Sequence, residues 1–494
     1  MSIKLKLHPE ELYDNMHELV RMAYPGQELL RGGDDQADLE LLLERSIKEN
    51  TVHFHGSIKG TGVDVDREVN YPQMEPGEEN RRQLSRLTRR FVYDLLAAVQ
   101  DKELNSYGIL TGMRPVKLVH RLLDQGLTPE KVLESLGTDF RVNLEKARLL
   151  TEVASNNRPV VDASRLERRA LALYVGIPFC PSRCYYCSFP GGILRDYEQD
   201  IKPFLEALYC EVKHIAEVLE DLGFWIQSIY LGGGTPTVLS YGDLADLFEL
   251  LHRHFIGSGT EEITVEAGRP DTLTPEKMVL FKQAGVGRVC INPQTMNETT
   301  LHAIGRNHDL KGVVQSLEWA RQAGIKTINM DLIVGLPGEG LEENRHTAEE
   351  ILRLKPENLT VHTLAVKRGS TLARMEGVSG LGEKEAEVHR AVDLMAELFR
   401  NAGYQPYYLY RQKYIKASLE NIGYSLPGFF SVYNIRIMEE CQTLLGLGGG
   451  AGSKFFNWND GSLTSFYNPK NPSSYCASIE RLIAAKVDKL RALH

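Results

Sequence analysis

Cys180, Cys184 and Cys187 fall within one stretch, YVGIPFCPSRCYYCSFPGG beginning at Tyr174, and form the spacing C-x3-C-x2-C. Four thiolates complete a structural zinc site or an iron–sulfur cube, whereas three on one loop leave a metal position open for a substrate or cofactor. Pro178 and Pro181 stiffen the loop so that the sulfurs can converge, and Phe179, Tyr185, Tyr186 and Phe189 are placed to shield a cluster from water. The rival readings are three free surface thiols and a structural zinc with a distant fourth ligand. Cys210, Cys290, Cys441 and Cys476 are isolated in the sequence and read as small packed hydrophobes.

Other residues with chemical potential sit at intervals downstream. The loop GGGTPT from Gly232 allows close backbone approach to a ligand. A phosphate-binding loop is the alternative there, but the lysine that completes one is missing. Glu266 closes the apolar run TVEAG, Gln294 lies in NPQT, Arg306 in LHAIGRNH and Asp331 in NMDLIVGLPG. Each alone also reads as a strand-end cap or a surface ion pair; together they mark the ends of successive expected strands. The glycine run from Gly446, GLGGGAG, lacks the helix and the acidic residue of a dinucleotide fingerprint.

The elements that must position these residues follow from periodicity. Between about residues 170 and 370, six β-branched apolar runs (LALYVGI, IQSIYLGGG, EITVEAG, GRVCINPQ, TINMDLIVGLP and NLTVHTLAV) alternate with stretches whose apolar residues recur at three and four. That pattern predicts a parallel sheet with crossover helices, curved into a partial barrel or left open, with its chemistry at the carboxyl ends of the strands. Residues 1–165 break the rhythm and read as an α+β domain with a strand pair around Lys59–Gly62 and a long amphipathic helix after it. Residues 166–375 are then the barrel, and 376–494 a helical and irregular segment covering one end.

Composition bounds the class. The chain has 494 residues, 42% hydrophobic and 25% charged, with a formal net charge of −9 carried by interspersed acids and bases. This excludes a dedicated nucleic-acid surface and a disordered chain. No signal peptide and no long apolar run are present, so a cytoplasmic protein without a membrane span is expected, in which reduced thiols favour a metal site over disulfides.

The cysteine motif after a strand, with GGGTPT at the end of the next, resembles the radical S-adenosylmethionine (SAM) enzymes. From YVGIPFC through DLIVGLPG the chain is similar to the oxygen-independent coproporphyrinogen III oxidase family, and YGILTGMRPVKLVHRLL from Tyr107 resembles its longer branch, called HemZ or coproporphyrinogen dehydrogenase. The resemblance implies an α/β fold, a partial (β/α)6 radical SAM barrel with an N-terminal α+β domain and a C-terminal covering segment. It implies a [4Fe-4S] cluster on Cys180, Cys184 and Cys187, with SAM held by Tyr174, Tyr186, Gly233, Gly234, Thr235 and Glu266. Gln294, Arg306, Asp331 and Ala365 match the positions that line a second SAM site, and GLGGGAG matches a backbone element of the active-site cover.

The implied reaction is radical hydrogen abstraction from coproporphyrinogen propionates, with loss of carbon dioxide and one electron, giving protoporphyrinogen IX in haem biosynthesis. An electron donor and an acceptor, both unidentified, are required. Arg114, Arg411 and Arg436 are candidate partners for the substrate carboxylates. A haem-binding chaperone and a radical methyltransferase are the alternatives the same family offers; the chaperone branch carries H-N-x-x-Y-W where this chain has SVYNIRIM, ending at Met438. Two departures adjoin the cysteines: Gly176 stands where the family pattern has histidine, and Phe189 where the best-known branch has a further cysteine. For the N-terminal domain, substrate gating and partner docking are both compatible with its sequence.

Overall fold

Five strands, β1 (Ser2–His8), β2 (Glu28–Arg31), β3 (Leu39–Lys48), β4 (Thr51–Gly60) and β5 (Val63–Pro72), form a sheet of order β2-β1-β3-β4-β5 in the computed structural model. The structure describes residues 2–24, 26–31, 37–48, 51–60, 62–72, 78–101, 103–187, 192–306, 309–365, 370–376, 385–412 and 419–493. Alternation explains the first sheet: Leu39, Leu41 and Leu43 are buried on one face of β3, with Phe54 from β4 beside them. The long helix Glu78–Gln100 presents Phe91, Leu95 and Leu96 to that face, with the Phe54 and Phe91 rings stacked 5.4 Å apart. This sheet and its helices belong to a compact unit, residues 1–152; residues 153–494 form the other.

The second unit is built on the expected βα rhythm. Each apolar run becomes a strand: β6 (Ala170–Ile177), β9 (Trp225–Gly233), β10 (Glu262–Glu266), β11 (Arg288–Cys290), β12 (Thr327–Val334) and β13 (Asn358–Thr363). They lie in sequence order and every neighbouring pair is parallel, with helices such as Ile201–Asp221 and Leu310–Gln322 making the crossovers. This is the (β/α)6 core of a partial barrel. After β6, β7 (Phe179–Cys180) and β8 (Gly192–Ile193) form a two-residue parallel pair that closes the base of the cysteine loop.

The tail departs from the helical and irregular reading. It supplies β14 (Gln405–Arg411) and β15 (Glu420–Ser425) antiparallel beyond β13, and β16 (Leu444–Gly448), β17 (Gly452–Phe456) and β18 (Leu463–Tyr467) beyond β6, making one sheet of 11 strands. Every residue of β15 and β16 is buried, so neither strand carries the two-residue alternation by which a half-exposed strand is read. Among the described residues no helix is long and apolar enough to cross a membrane.

Candidate active site at the carboxyl ends of the strands

The GGGTPT loop zips directly onto the start of the cysteine loop. Gly234 N–H donates to the Ile177 carbonyl and Thr235 N–H to the Phe179 carbonyl, both at 2.7 Å. A side chain at Gly234 would begin 2.4 Å from the Phe179 carbonyl oxygen and 2.9 Å from Cys180 Sγ, so only glycine lets the two loops touch. Thr235 Oγ1 reaches Cys180 Sγ at 3.8 Å. On the far side, Tyr185 N–H donates to the Ile304 carbonyl at 2.9 Å, and Leu372 N–H to the Tyr185 carbonyl at the same distance. Tyr186 packs on the cluster of Leu301, Ile304, Ile333, Leu336, Leu364 and Leu372.

All three cysteines of the triplet are free thiols, Cys184 buried and the other two partly so. Burial pushes the Cys180 thiol up to about 11, against the hydrogen bond from Thr235. The unligated Cys180 thiol is therefore a poor anion, and a bound iron would stabilise its thiolate. Among the described residues no three His, Cys, Asp or Glu side chains converge to hold a single metal ion. Phe189 lies outside the described residues.

Along the strands that carry these loops runs an acidic and aromatic layer. Tyr174 stacks on Tyr230 at 6.0 Å, and Tyr230 on Tyr433 at 4.7 Å. Tyr230 hydroxyl donates to Glu266 Oε1 at 2.8 Å, and Gly233 N–H to Glu266 Oε2 at 3.2 Å. Burial nevertheless dominates and pushes the Glu266 carboxyl up to about 7. Burial also opposes ionisation of Asp331, but the His362 ring 3.8 Å away and Asn329 at 2.8 Å outweigh it and hold Asp331 below the usual carboxylate range.

Gln294, Arg306 and Asp331 are brought together through one loop. Gln294 N–H donates to the Asp331 carbonyl at 3.0 Å, Ile333 N–H to the Gln294 carbonyl at 2.9 Å, and these bonds hold Gln294 at φ 71°. That left-handed conformation is costly for a residue other than glycine. Arg306 donates to the carbonyls of Asn292 and of Gly268, the latter at 3.0 Å, and Asp331 N–H donates to Asn292 Oδ1 at 3.3 Å. Among the described residues Gln294 Oε1 and Arg306 Nε are buried without a hydrogen-bond partner. Ala365, half-buried, follows β13 at the same strand end.

The candidate substrate arginines separate. Arg436 is buried at the opposite end of the strands, donating to Ser164 Oγ at 3.0 Å and lying 3.6 Å from Glu167 and 3.8 Å from Glu261, just before β10. It is a structural cation there rather than a substrate contact. Arg411 ends β14 and is buried, while Arg114 belongs to the first unit, before the helix Val116–Asp124. Sequence reasoning passed over Tyr230, Asn292, Arg269 and His362. Tyr230 alone had a signal, an aromatic two residues before the glycine loop; the others are single polar residues at strand ends or in the loops that follow.

Residues 174–351 match the radical SAM superfamily. Over 495 aligned residues, all of this chain and 98% of the other, the chain is 38% identical to the oxygen-independent coproporphyrinogen-III oxidase-like protein HemZ of Bacillus subtilis. The chain belongs to this oxygen-independent coproporphyrinogen III oxidase-like family of radical SAM proteins. Membership implies a [4Fe-4S] cluster and SAM, for which the free thiols of Cys180, Cys184 and Cys187 are a fitting donor set. The heme chaperone HemW of the same bacterium is 34% identical over 224 residues, 44% of this chain and 58% of that protein. The solved coproporphyrinogen III oxidase HemN of Escherichia coli shares the fold, with a TM-score of 0.52 and 23% identity over 66% of this chain and 72% of that one.

Proposed function

We propose that this chain catalyses the oxygen-independent oxidative decarboxylation of two propionates of coproporphyrinogen III, giving the vinyl groups of protoporphyrinogen IX. The observation that carries the reading is the end-to-end similarity to HemZ, which takes in the N-terminal unit, whereas the HemW similarity covers 44% of the chain. The SVYNIRIM segment adds support, since Tyr433 is packed against Tyr230 and Asn434 donates to Tyr407 hydroxyl at 3.4 Å. That packing occupies the segment with internal contacts and presents no histidine to a haem iron.

When bound, the cluster and SAM supply a hydrogen-abstracting radical. In the proposal Cys180, Cys184 and Cys187 hold the cluster, and the SAM beside it lies against the Gly233, Gly234 and Thr235 backbone, whose carbonyls can accept from its amino group while the N–H groups stay bound to Glu266, Ile177 and Phe179. Tyr174 and Tyr186 shape the walls of that pocket, and Glu266 accepts hydrogen bonds from a cationic amino group or ribose hydroxyls. Gln294, Arg306, Asp331 and Ala365 line a second SAM site. For each propionate, one hydrogen leaves the β-carbon, the carboxylate departs as carbon dioxide, and one electron passes to an acceptor.

The test is an anaerobic assay of reconstituted, reduced protein with SAM and coproporphyrinogen III, following 5'-deoxyadenosine and the tetrapyrrole by mass. Deoxyadenosine together with loss of two carboxyl groups is expected. Deoxyadenosine without decarboxylation overturns the substrate assignment, and tight haem binding with neither product replaces it by the chaperone reading.

A further inference from the structure

Arg269 sits three residues beyond Glu266, where β10 has ended, and is 4% exposed. Its guanidinium is strapped by Asp271, with Nε and Nη2 each 3.1 Å from a different carboxylate oxygen. Nη2 also donates to Ser182 Oγ at 2.9 Å, and Nη1 points at Cys184 Sγ at 3.6 Å. The backbone is held as well: Thr272 donates to the Arg269 carbonyl from its N–H at 3.0 Å and from its hydroxyl at 2.8 Å. The cation is therefore placed rigidly against one sulfur, and that sulfur belongs to the buried cysteine of the triplet.

We infer that Arg269 tunes the reduction potential of the iron–sulfur cluster through Cys184. The inference rests on the cluster reading of the cysteine triplet. Adding one electron to a thiolate-bound cluster adds a negative charge, and a fixed cation donating to a ligand sulfur stabilises the reduced form and raises the midpoint. The effect is large where water is excluded, as it is at Cys184. Asp271 acts in the opposite direction, since its carboxylate partly neutralises the same guanidinium. A bidentate strap suits this task because it fixes the charge without a flexible stem.

The experiment is a mediated redox titration of the reconstituted full-length protein without SAM, read by the electron paramagnetic resonance of the reduced cluster. Arg269→Gln should keep its iron and sulfide and lower the midpoint by a tenfold or greater shift of the one-electron equilibrium, about 59 mV. Asp271→Asn should move the midpoint upward. A role confined to clipping the loop would not shift the two variants in opposite directions. An unchanged midpoint in Arg269→Gln overturns the inference. Should that variant fail to hold a cluster, an unchanged or lowered midpoint in Asp271→Asn overturns it instead. Wild-type protein that incorporates no iron and sulfide removes the cluster reading itself, a failure seen before any potential is measured.

Discussion

Two buried polar arrangements in the second unit differ in how far they are satisfied. Glu211, on the helix Ile201–Asp221, and Lys486, on the helix Ile479–Arg491, are both 0% exposed and paired. The Glu211 carboxylate also accepts from Tyr475 hydroxyl at 2.6 Å, Gly448 N–H at 2.8 Å and Asn468 Nδ2 at 3.3 Å. At the strand ends, by contrast, the described partners of Arg306 are carbonyls only, and its Nε and Gln294 Oε1 have none. Two other buried arginines of this unit also leave nitrogens unpaired, but Arg288 faces Glu262 at 3.6 Å and Arg436 faces Glu261 and Glu167. Among the described residues no carboxylate is paired with Arg306, which separates it from the paired charges of Glu211, Arg288 and Arg436 and suits a place where a ligand has still to bind.

The sharpest way to break that contrast is Lys486→Met. It strands Glu211 as an unpaired buried charge and should cost about 3–5 kcal/mol of stability in urea unfolding, most of which the double variant with Glu211→Gln should restore. A Lys486→Met protein as stable as the parent would remove the scaffold half of the comparison. Next in size is Gly176→Ala. The network fixes Gly448 and so the turn that follows it, and a Cβ at Gly176 would stand 2.7 Å from the Gly449 carbonyl oxygen. We expect a loss of about 1–3 kcal/mol by overpacking. Arg306→Gln acts on the other half: turnover should fall tenfold or more, while cluster content stays intact and unfolding free energy stays within about 1 kcal/mol, since the deleted charge had no carboxylate to leave behind.

Gly176 also shows where sequence and structure part company. Its identity reads as a departure from a family pattern, and the reason lies far along the chain: β16 runs parallel beside β6, pairing Gly448 with Gly176, and the Gly449 carbonyl fills the space a side chain needs. No local pattern announces such a neighbour. The six barrel strands were legible because β-branched runs and amphipathic helices alternate with a period the chain itself displays. The cysteine loop and GGGTPT were legible because their chemistry is written in consecutive residues. Arg269 and Asn292 were not, since a single polar residue beyond a strand looks alike whether it faces a sulfur, a backbone or solvent. Arg436 was misplaced for the same reason, being a cation whose partners, Ser164, Glu167 and Glu261, are far away in the chain.

Glu266 gives the smallest effect and bears on the same distinction. Its two hydrogen bonds do not offset burial, so the folded carboxyl ionises near 7 against 4.5 in the unfolded chain. Between those values the native state keeps a proton that the unfolded chain has released, so stability falls as pH rises through this window and stays reduced above it. Glu266→Gln has no such proton. In urea unfolding of cofactor-free protein, the stability of the variant relative to the parent should therefore grow between pH 5 and pH 8, on the order of 1 kcal/mol once solvent screening of a half-buried group is allowed for. A difference that stays flat with pH would mean that the carboxylate is already satisfied, like Glu211, and belongs to the scaffold. A difference that grows leaves an under-satisfied anion beside the glycine loop, where a cationic group of an arriving ligand would pull the pKa down and release a proton on binding.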